Sequence, residues 1–205
     1  MPTASAPRRT LVTGANRGLG LEFVRQLLAR GDHVVATSRH PGRAHALNQL
    51  VGQHPGRLHV LPLDPADPKT HAELAREIPL VVDGLDLLIN NAGVLHSGER
   101  FGQVPPAQLD DSLRTNASGP FLLTQTLAAH LVDGATVANV SSVLGSIAST
   151  SGFHTPSYAI SKAAQNMATV LLAQALAERG HGVLALHPGW VQTDMGGAGG
   201  EITPG

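Results

Sequence analysis

The chain has 205 residues, of which 42% are hydrophobic and 14% are charged, and its formal net charge is -1. This length fits one domain with one core, and the composition argues against a disordered chain and against a nucleic-acid-binding surface. Cysteine is absent, which excludes disulfide bonds and thiolate chemistry and is typical of proteins from a reducing cytoplasm.

The sequence carries no recognisable signal for export or for a membrane span. Residues 1–7 are polar and interrupted by proline, unlike a secretory leader. No apolar run approaches the roughly 18 residues that a membrane-spanning helix requires. We therefore expect a cytoplasmic protein with no membrane partner and no nucleic-acid partner.

Apolar segments alternate with segments of helical period, which is typical of βαβ units and a parallel sheet. The elements predicted in the first half are, in chain order, a strand at 10–13, a helix from Leu19 that Gly31 terminates, a strand at 33–38, a helix at 43–51, a strand at 58–61, a helix at 68–77 with Asp67 as its cap, and a strand at 85–90.

The second half continues the alternation with longer helices. Its predicted elements are a helix at 106–131 with a disturbance at Gly119-Pro120, a strand at 135–141, a helix at 158–179 and a strand at 183–187. The glycine-rich residues 196–205 supply no further element, and we expect them to form a flexible tail. The pattern predicts an α/β fold: one doubly wound domain of the Rossmann type over 1–205, with a mainly parallel sheet between helices.

The segment between the first strand and the first helix is Thr-Gly-Ala-Asn-Arg-Gly-Leu-Gly, residues 13–20, which we call the phosphate loop. At this place a dinucleotide pyrophosphate meets the positive end of a helix dipole and free N–H groups. The glycines suit the turn, the approach of phosphate and the packing of helix on strand. A glycine-rich turn without a ligand is the alternative. The candidate contacts in the loop are Gly14, Asn16, Arg17, Gly18, Leu19 and Gly20.

The end of the second strand indicates which dinucleotide is bound. NAD sites usually end this strand with a carboxylate that accepts from the ribose hydroxyls, whereas here the strand meets Arg39, with Arg43 one turn further on. Guanidinium groups suit a ribose 2′-phosphate, and Arg17 adds a third positive charge. NADP(H) is therefore the predicted cofactor, the alternative being that the arginines are solvated surface charges.

Tyr158 is the only tyrosine in the chain, and Lys162 is one of two lysines. Four residues apart on a helix, their side chains lie on the same face, and a nearby ammonium lowers the pKa of a phenol by favouring the phenolate. Ser142, at the end of the strand at 135–141, can donate to a substrate carbonyl oxygen. An exposed helix with a surface lysine is the alternative interpretation of the pair.

Together these motifs resemble the short-chain dehydrogenase/reductase family. The Thr-Gly-x-x-x-Gly-x-Gly of the phosphate loop is followed, in the family's order, by Asn-Asn-Ala-Gly at 90–93, Asn116, Ser142, Tyr158, Lys162 and Pro-Gly at 188–189. The segment His-Pro-Gly-Trp-Val-Gln-Thr-Asp-Met-Gly-Gly at 187–197 is similar to that of carbonyl-reductase-like members, which include a bacterial developmental signalling factor.

The resemblance implies a role for each matched residue. Tyr158 would be the general acid in reduction, Lys162 would bind the nicotinamide ribose, and Ser142 would polarise the carbonyl. Asn116 would hold a water that links Lys162 to solvent as a proton relay. The remaining cofactor contacts implied are Asp64 at the adenine, Asn90 at the adenosine ribose, the matched Ala92, Gly93, Pro188 and Gly189, and Val191 and Thr193 at the nicotinamide carboxamide. Pro65, which follows Asp64, has no N–H to offer the adenine.

The resemblance implies hydride transfer between NADPH and a ketone or aldehyde, in a homodimer or homotetramer formed through the helices at 106–131 and 158–179. Family members continue with a last helix and strand that this sequence lacks, so we expect either a less covered active site or a longer natural chain. The alternatives are an epimerase-type relative and a signalling or sensor protein that binds NADP(H) with little turnover. The eleven histidines show no metal-ligand spacing, and no metal is expected.

Overall fold

A computed structural model of the chain describes residues 6–197, 199–200 and 202–204. Its central sheet has six strands, all paired in parallel, in the order β3-β2-β1-β4-β5-β6. The strands are β1 Arg9–Val12, β2 His33–Ser38, β3 Leu58–Pro62, β4 Leu85–Asn90, β5 Leu131–Val140 and β6 Gly182–Leu186. The predicted doubly wound fold of the Rossmann type is confirmed.

Helices connect the strands. The α-helices are α1 Gly18–Arg30, α2 His45–Gln53, α3 Pro68–Val81, α4 Pro106–Leu113, α5 Gly119–Leu127 and α6 Pro156–Ala175. Two predicted helix ends have the expected chemistry. Gly31 adopts the left-handed conformation and donates to the carbonyls of the last turn of α1, and the Asp67 side chain accepts from the Lys69 N–H at the start of α3.

Each face of the sheet carries its own apolar core. Successive strand residues point to opposite faces, so Val12 packs in the layer that contains α1 and α2, whereas Leu11 packs in the layer that contains α3 and α5. The strand order changes direction between β1 and β4, which opens a crevice at their carboxyl ends. The fold therefore places the ends of β1, β2, β4 and β5 around one cleft. No helix in the part of the chain described here has the length and apolar character for a membrane crossing.

The helix predicted at 106–131 is broken into pieces. Between α4 and α5 a π-helical turn spans Arg114–Ser118, and a short 3-10 turn at Ala128–His130 follows α5. The predicted disturbance at Gly119-Pro120 therefore begins five residues earlier. Gly119 permits a close approach: a Cβ there would lie 2.5 Å from the Pro65 carbonyl oxygen.

Strand β5 begins four residues before its predicted start. Leu131 pairs with Leu85, but the next pair is Thr136 with Leu87, so β5 carries a bulge that contains Gly134 with a φ of 77°. The Asp-Gly sequence in this bulge is typical of a turn, and for that reason the sequence pattern conceals the beginning of the strand.

Part of the predicted tail is bonded to the loop that follows β6. Ile202 forms an isolated parallel bridge with Val191, its N–H donates to the Trp190 carbonyl at 3.2 Å, and its carbonyl accepts from the Gln192 N–H at 2.8 Å. Residues 196–205 thus supply a pairing that the sequence pattern did not predict. The flexibility of this segment stays a prediction, and positions 198, 201 and 205 lie outside the described residues.

Candidate active site

A cleft of about 800 Å³ opens at the carboxyl ends of the strands. It collects most of the residues singled out from the sequence, although they come from segments far apart in the chain. The predicted site residues that line it are Gly14, Asn16, Arg17, Gly18, Leu19, Arg39, Arg43, Asp64, Ala92, Gly93, Ser142, Tyr158, Lys162, Pro188, Gly189, Val191 and Thr193. The predicted site residues outside the lining are Gly20, Asn90 and Asn116.

The phosphate loop turns between β1 and α1 on two glycines with positive φ, Gly14 at 62° and Gly18 at 54°. Gly20 makes a packing contact instead of lining the cleft, since a Cβ there would lie 2.3 Å from the Gly14 carbonyl oxygen. The rest of the loop from Gly14 to Leu19, apart from Ala15, lines the cleft at the amino end of α1, which is the place where such folds bind phosphate.

Asn91, which the sequence analysis did not select, ties the phosphate loop to β4. Its side-chain amide donates to the carbonyls of Thr13 and Gly14, at 2.9 and 3.2 Å, and the Thr13 hydroxyl accepts from the N–H groups of Asn91 and Ala92. These bonds fix the loop against the neighbouring strand. The sequence signal for this role was the place of Asn91 in the Asn-Asn-Ala-Gly motif at 90–93.

The side chain of Asn90 does not face the cleft, so the contact of Asn90 with the adenosine ribose stays a prediction that would have to use its backbone. Asn90 is buried, and its amide donates to Asn139 at 2.8 Å and to Thr124 at 3.2 Å, on the far side of β4 from the cleft. Adjacent strand residues face opposite ways, so Asn90 and Asn91 cannot both face the phosphate loop. The Asn90 side chain joins β4 to β5 and α5.

The end of β2 carries the features of an anion site. Arg39 and Arg43 are exposed and line the cleft, and the buried Ser38 hydroxyl beside them has no hydrogen-bond partner among the described residues. Arg17 is engaged elsewhere, in a largely exposed ion pair with Asp194 at 2.9 Å across the cleft. Two guanidinium groups and an unpaired hydroxyl fit a ribose 2′-phosphate.

Asp64 belongs to a tightly bonded turn at the adenine end of the predicted site. Its carboxylate accepts from the Ala66 N–H at 3.0 Å, and its N–H and carbonyl both bond to the Thr70 hydroxyl. The buried His71 ring lies 3.0 Å from the Pro65 carbonyl oxygen. One carboxylate oxygen of Asp64 therefore already accepts a hydrogen bond within the protein. The Thr70 hydroxyl and the His71 ring stabilise the turn.

Ser142 and Ser141 have opposite environments, because adjacent residues at a strand end face opposite ways. The Ser142 side chain lies in the cleft and accepts from the Leu144 N–H at 3.2 Å, whereas the Ser141 hydroxyl donates to Asn166 of α6 at 2.6 Å. The Ser142 hydroxyl lies close enough to the Tyr158 phenol to act against the rise of its pKa. The strand thus presents the 142 hydroxyl to the phenol.

Tyr158 and Lys162 lie on the same face of α6, with the Lys162 ammonium 5.5 Å from the centre of the Tyr158 ring. Burial raises the pKa of Tyr158, and the Ser142 hydroxyl offsets this only in part. Burial also lowers the pKa of Lys162, to about 8. The pKa of Tyr158 is therefore raised, opposite to the lowering expected from Lys162, because removal of the phenol from water is the largest effect.

Asn116 lies in the π-helical turn, behind the cleft. Its amide nitrogen donates to the Val94 carbonyl and to the Ser161 hydroxyl, at 2.8 and 2.9 Å, and its oxygen accepts from the Val94 N–H. The side chain thus binds the loop after β4 to α6. Both N–H groups of the side-chain amide are used, so a water held by Asn116 would have to donate to one of the oxygen atoms of Asn116.

Glu99 binds the amino end of α6 next to Tyr158. Its carboxylate accepts from the N–H of Ser157 at 3.2 Å and from the Ser157 hydroxyl, which is fully buried. The residue before the helix, Thr155, has a positive φ of 38°, which is unusual for a residue other than glycine. Glu99 therefore stabilises a strained helix start through the helix dipole and two hydrogen bonds.

We expect Glu99→Ala to lower the free energy of unfolding by about 1–3 kcal/mol, because a buried hydroxyl loses its acceptor. Chemical denaturation measures this change. Glu73→Ala, which removes an exposed carboxylate from α3, is the matched control and should have little effect. Equal stability of the two variants would show that the Glu99 contact contributes nothing.

Comparison with known proteins identifies the family to which the chain belongs. The family model for short chain dehydrogenases matches residues 8–201. C-signal of Myxococcus xanthus is 42% identical over 115 residues, which are 55% of this chain and 69% of that protein.

Two solved structures resemble the chain over 97% of its length. Carbonyl reductase Sniffer of D. melanogaster is 32% identical with a TM-score of 0.91 over 87% of its chain. NADPH-bound carbonyl reductase from chicken fatty liver is 36% identical with a TM-score of 0.90 over 82% of its chain. The predicted family is confirmed, and this chain belongs to the short chain dehydrogenases.

Proposed function

We propose that the chain reduces ketones or aldehydes with NADPH, or oxidises the matching alcohols with NADP⁺. The observation that carries the proposal is the meeting of the Ser142 hydroxyl, the Tyr158 phenol and the Lys162 ammonium at one wall of a cleft whose other end has a phosphate loop. The two carbonyl reductases with similar structures support the same chemistry, and one of them holds NADPH.

The chain's own residues would hold the cofactor along the cleft. The phosphate loop would bind the pyrophosphate, and Ser38, Arg39 and Arg43 would bind the 2′-phosphate. Lys162 would bind the nicotinamide ribose, and Val191 and Thr193 would contact the carboxamide, as the family resemblance implies. When bound, NADPH supplies the hydride.

The residues around the carbonyl oxygen supply the proton and hold the developing charge. Ser142 donates a hydrogen bond to that oxygen, and Tyr158 donates its phenolic proton as the oxygen becomes a hydroxyl. The raised pKa of Tyr158 keeps the phenol protonated at neutral pH, as a general acid must be. Lys162 then stabilises the phenolate that remains until a proton is restored.

NADPH consumption across a panel of ketones and aldehydes tests the proposal, with NADPH binding measured separately by fluorescence. Turnover of at least one carbonyl compound is the expected result. The match to C-signal makes a signalling role the second candidate. Tight binding of NADPH without turnover of any compound would favour that role over the reductase.

We expect carbonyl reduction to decline as the pH rises above about 8, where Lys162 loses its proton. A group whose pKa is lowered by burial is charged only below that pKa, and the ammonium is the form that binds ribose and stabilises phenolate. The pH dependence of kcat/KM measures this. In Lys162→Arg the decline should disappear, because a guanidinium keeps its charge. Persistence of the decline in that variant would assign it to another group.

A further inference from the structure

Gln165 holds the Lys162 ammonium from behind. The Lys162 Nζ donates to the Gln165 Oε1 at 2.9 Å and to the Val140 carbonyl oxygen at 2.7 Å. An ammonium has three N–H donors, so these two bonds leave one for the cleft. The side chain of Gln165 thus contacts the charged group that the proposed reaction uses, although it does not line the cleft itself.

Burial of the Gln165 amide costs free energy of folding. Gln165 is 1% exposed, and its Nε2 has no hydrogen-bond partner among the described residues. A buried donor without a partner destabilises a fold, and an apolar residue of similar size would avoid this loss. The reverse orientation of the amide would put donor against donor at Lys162, so the contact with the ammonium fixes the orientation seen.

Among the described residues, no charged side chain bonds to the Lys162 ammonium in place of Gln165. Besides Lys162, Tyr158 is the only titratable side chain on α6 itself, and the α5, β6 and 143–145 segments packed against α6 carry none. The ionisable groups on the other neighbouring segments are Asp110 and Asp111 on α4, with His96 paired to Asp111, Arg114 in the π-helical turn, Asp133 on β5, Glu178 and Arg179 in the 3-10 turn after α6, His187 after β6 and Glu99 at the helix start. Among the bonds of the described residues, none joins these groups to Lys162.

We propose that Gln165 is a positioning residue that keeps Lys162 protonated and directs its remaining N–H donor into the cleft. A neutral oxygen acceptor stabilises the ammonium against the loss of water around it. It does so without the full negative charge of a carboxylate, which would cancel the field of the ammonium at the Tyr158 phenol. The inference rests on the proposed function only for the use made of that ammonium.

NMR of isotope-labelled lysine tests the inference in the protein without cofactor. The chain has only two lysines, and Lys69→Arg assigns the two signals. We expect the acid dissociation constant of Lys162 to rise about tenfold in Gln165→Met, which removes the acceptor, and to fall about tenfold in Gln165→Glu, which adds charge. Gln174→Met and Gln174→Glu, on an exposed part of α6, are the matched controls and should leave it unchanged.

The pH dependence of NADPH binding gives a second measurement. Its loss at high pH should move to lower pH in Gln165→Met and to higher pH in Gln165→Glu. If thermal unfolding shows that Gln165→Met does not fold, Gln165→Glu alone tests the inference, because the pH shift expected for that variant has the opposite sign. An unchanged Lys162 titration in folded Gln165 variants overturns the inference. The absence of carbonyl turnover in the wild type would instead overturn the proposed function and leave the NMR result standing.

Discussion

Tyr158→Phe should lower kcat for carbonyl reduction by about 10²–10⁴-fold, because the general acid is removed while the ring is kept. NADPH affinity should change little, since the substitution deletes one hydroxyl and leaves Lys162 and the phosphate loop intact. Steady-state kinetics and fluorescence titration measure the two quantities. Tyr158 is the only tyrosine, so the loss of the near-ultraviolet tyrosinate signal at high pH verifies the variant and its purity.

Matched serine variants provide the control for this experiment. Ser142→Ala should also lower kcat, because its hydroxyl lies in the cleft with the phenol, whereas Ser141→Ala should mainly lower stability, because its hydroxyl is bonded to Asn166. Turnover of Tyr158→Phe within tenfold of the wild type would contradict the acid role of the phenol. Equal kinetic effects at 141 and 142 would contradict the assignment of Ser142.

Removal of the two arginines at the end of β2 should abolish the preference for the phosphorylated cofactor. Each of Arg39→Ala and Arg43→Ala is expected to weaken NADPH binding about tenfold or more, because a charge-assisted hydrogen bond to phosphate is lost. NADH has no 2′-phosphate, so its binding should be unaffected or slightly improved. The ratio of the two dissociation constants, measured by fluorescence titration, reports the effect.

An exposed arginine outside the cleft controls for net charge. Arg76→Ala on α3 changes the charge by the same amount and should leave the NADPH to NADH ratio as it is. Added salt should weaken NADPH binding to the wild type more than to the double variant, since the exposed guanidinium groups are screened. A ratio unchanged by loss of both arginines would place the 2′-phosphate elsewhere.

Much of the fold could be predicted from the sequence because its central strands are buried and its helices have one apolar side. Strands β2 and β4 have the predicted bounds, and the other strand ends differ by at most one residue, except the start of β5. The start of β5 escaped prediction, and the disturbance before α5 was predicted five residues too late, since both depend on contacts with distant segments: the pairing of Leu131 with Leu85, and the approach of Gly119 to Pro65.

The residues of the candidate site also divide into those that the sequence identified and those whose role needed the fold. Residue types and spacing selected the phosphate loop, the arginines after β2, Tyr158 and Lys162, because each carries chemistry that its neighbours in sequence lack. The choice of Ser142 over its neighbour Ser141 came from the resemblance to the family. The orientation of Asn90 and Asn91 needed the sheet, since facing alternates along a strand and one residue of register decides which amide reaches the loop.

The sequence by itself determined the order of the elements, the dinucleotide-binding turn and the set of reactive side chains, because these depend on local periodicity and on the chemistry of single residues. Only the tertiary structure decided that Glu99 stabilises the start of the Tyr158 helix and that Gln165 and the Val140 carbonyl hold the Lys162 ammonium. The physical reason is burial: whether a polar group keeps its charge or its partner depends on which distant segments exclude water from it.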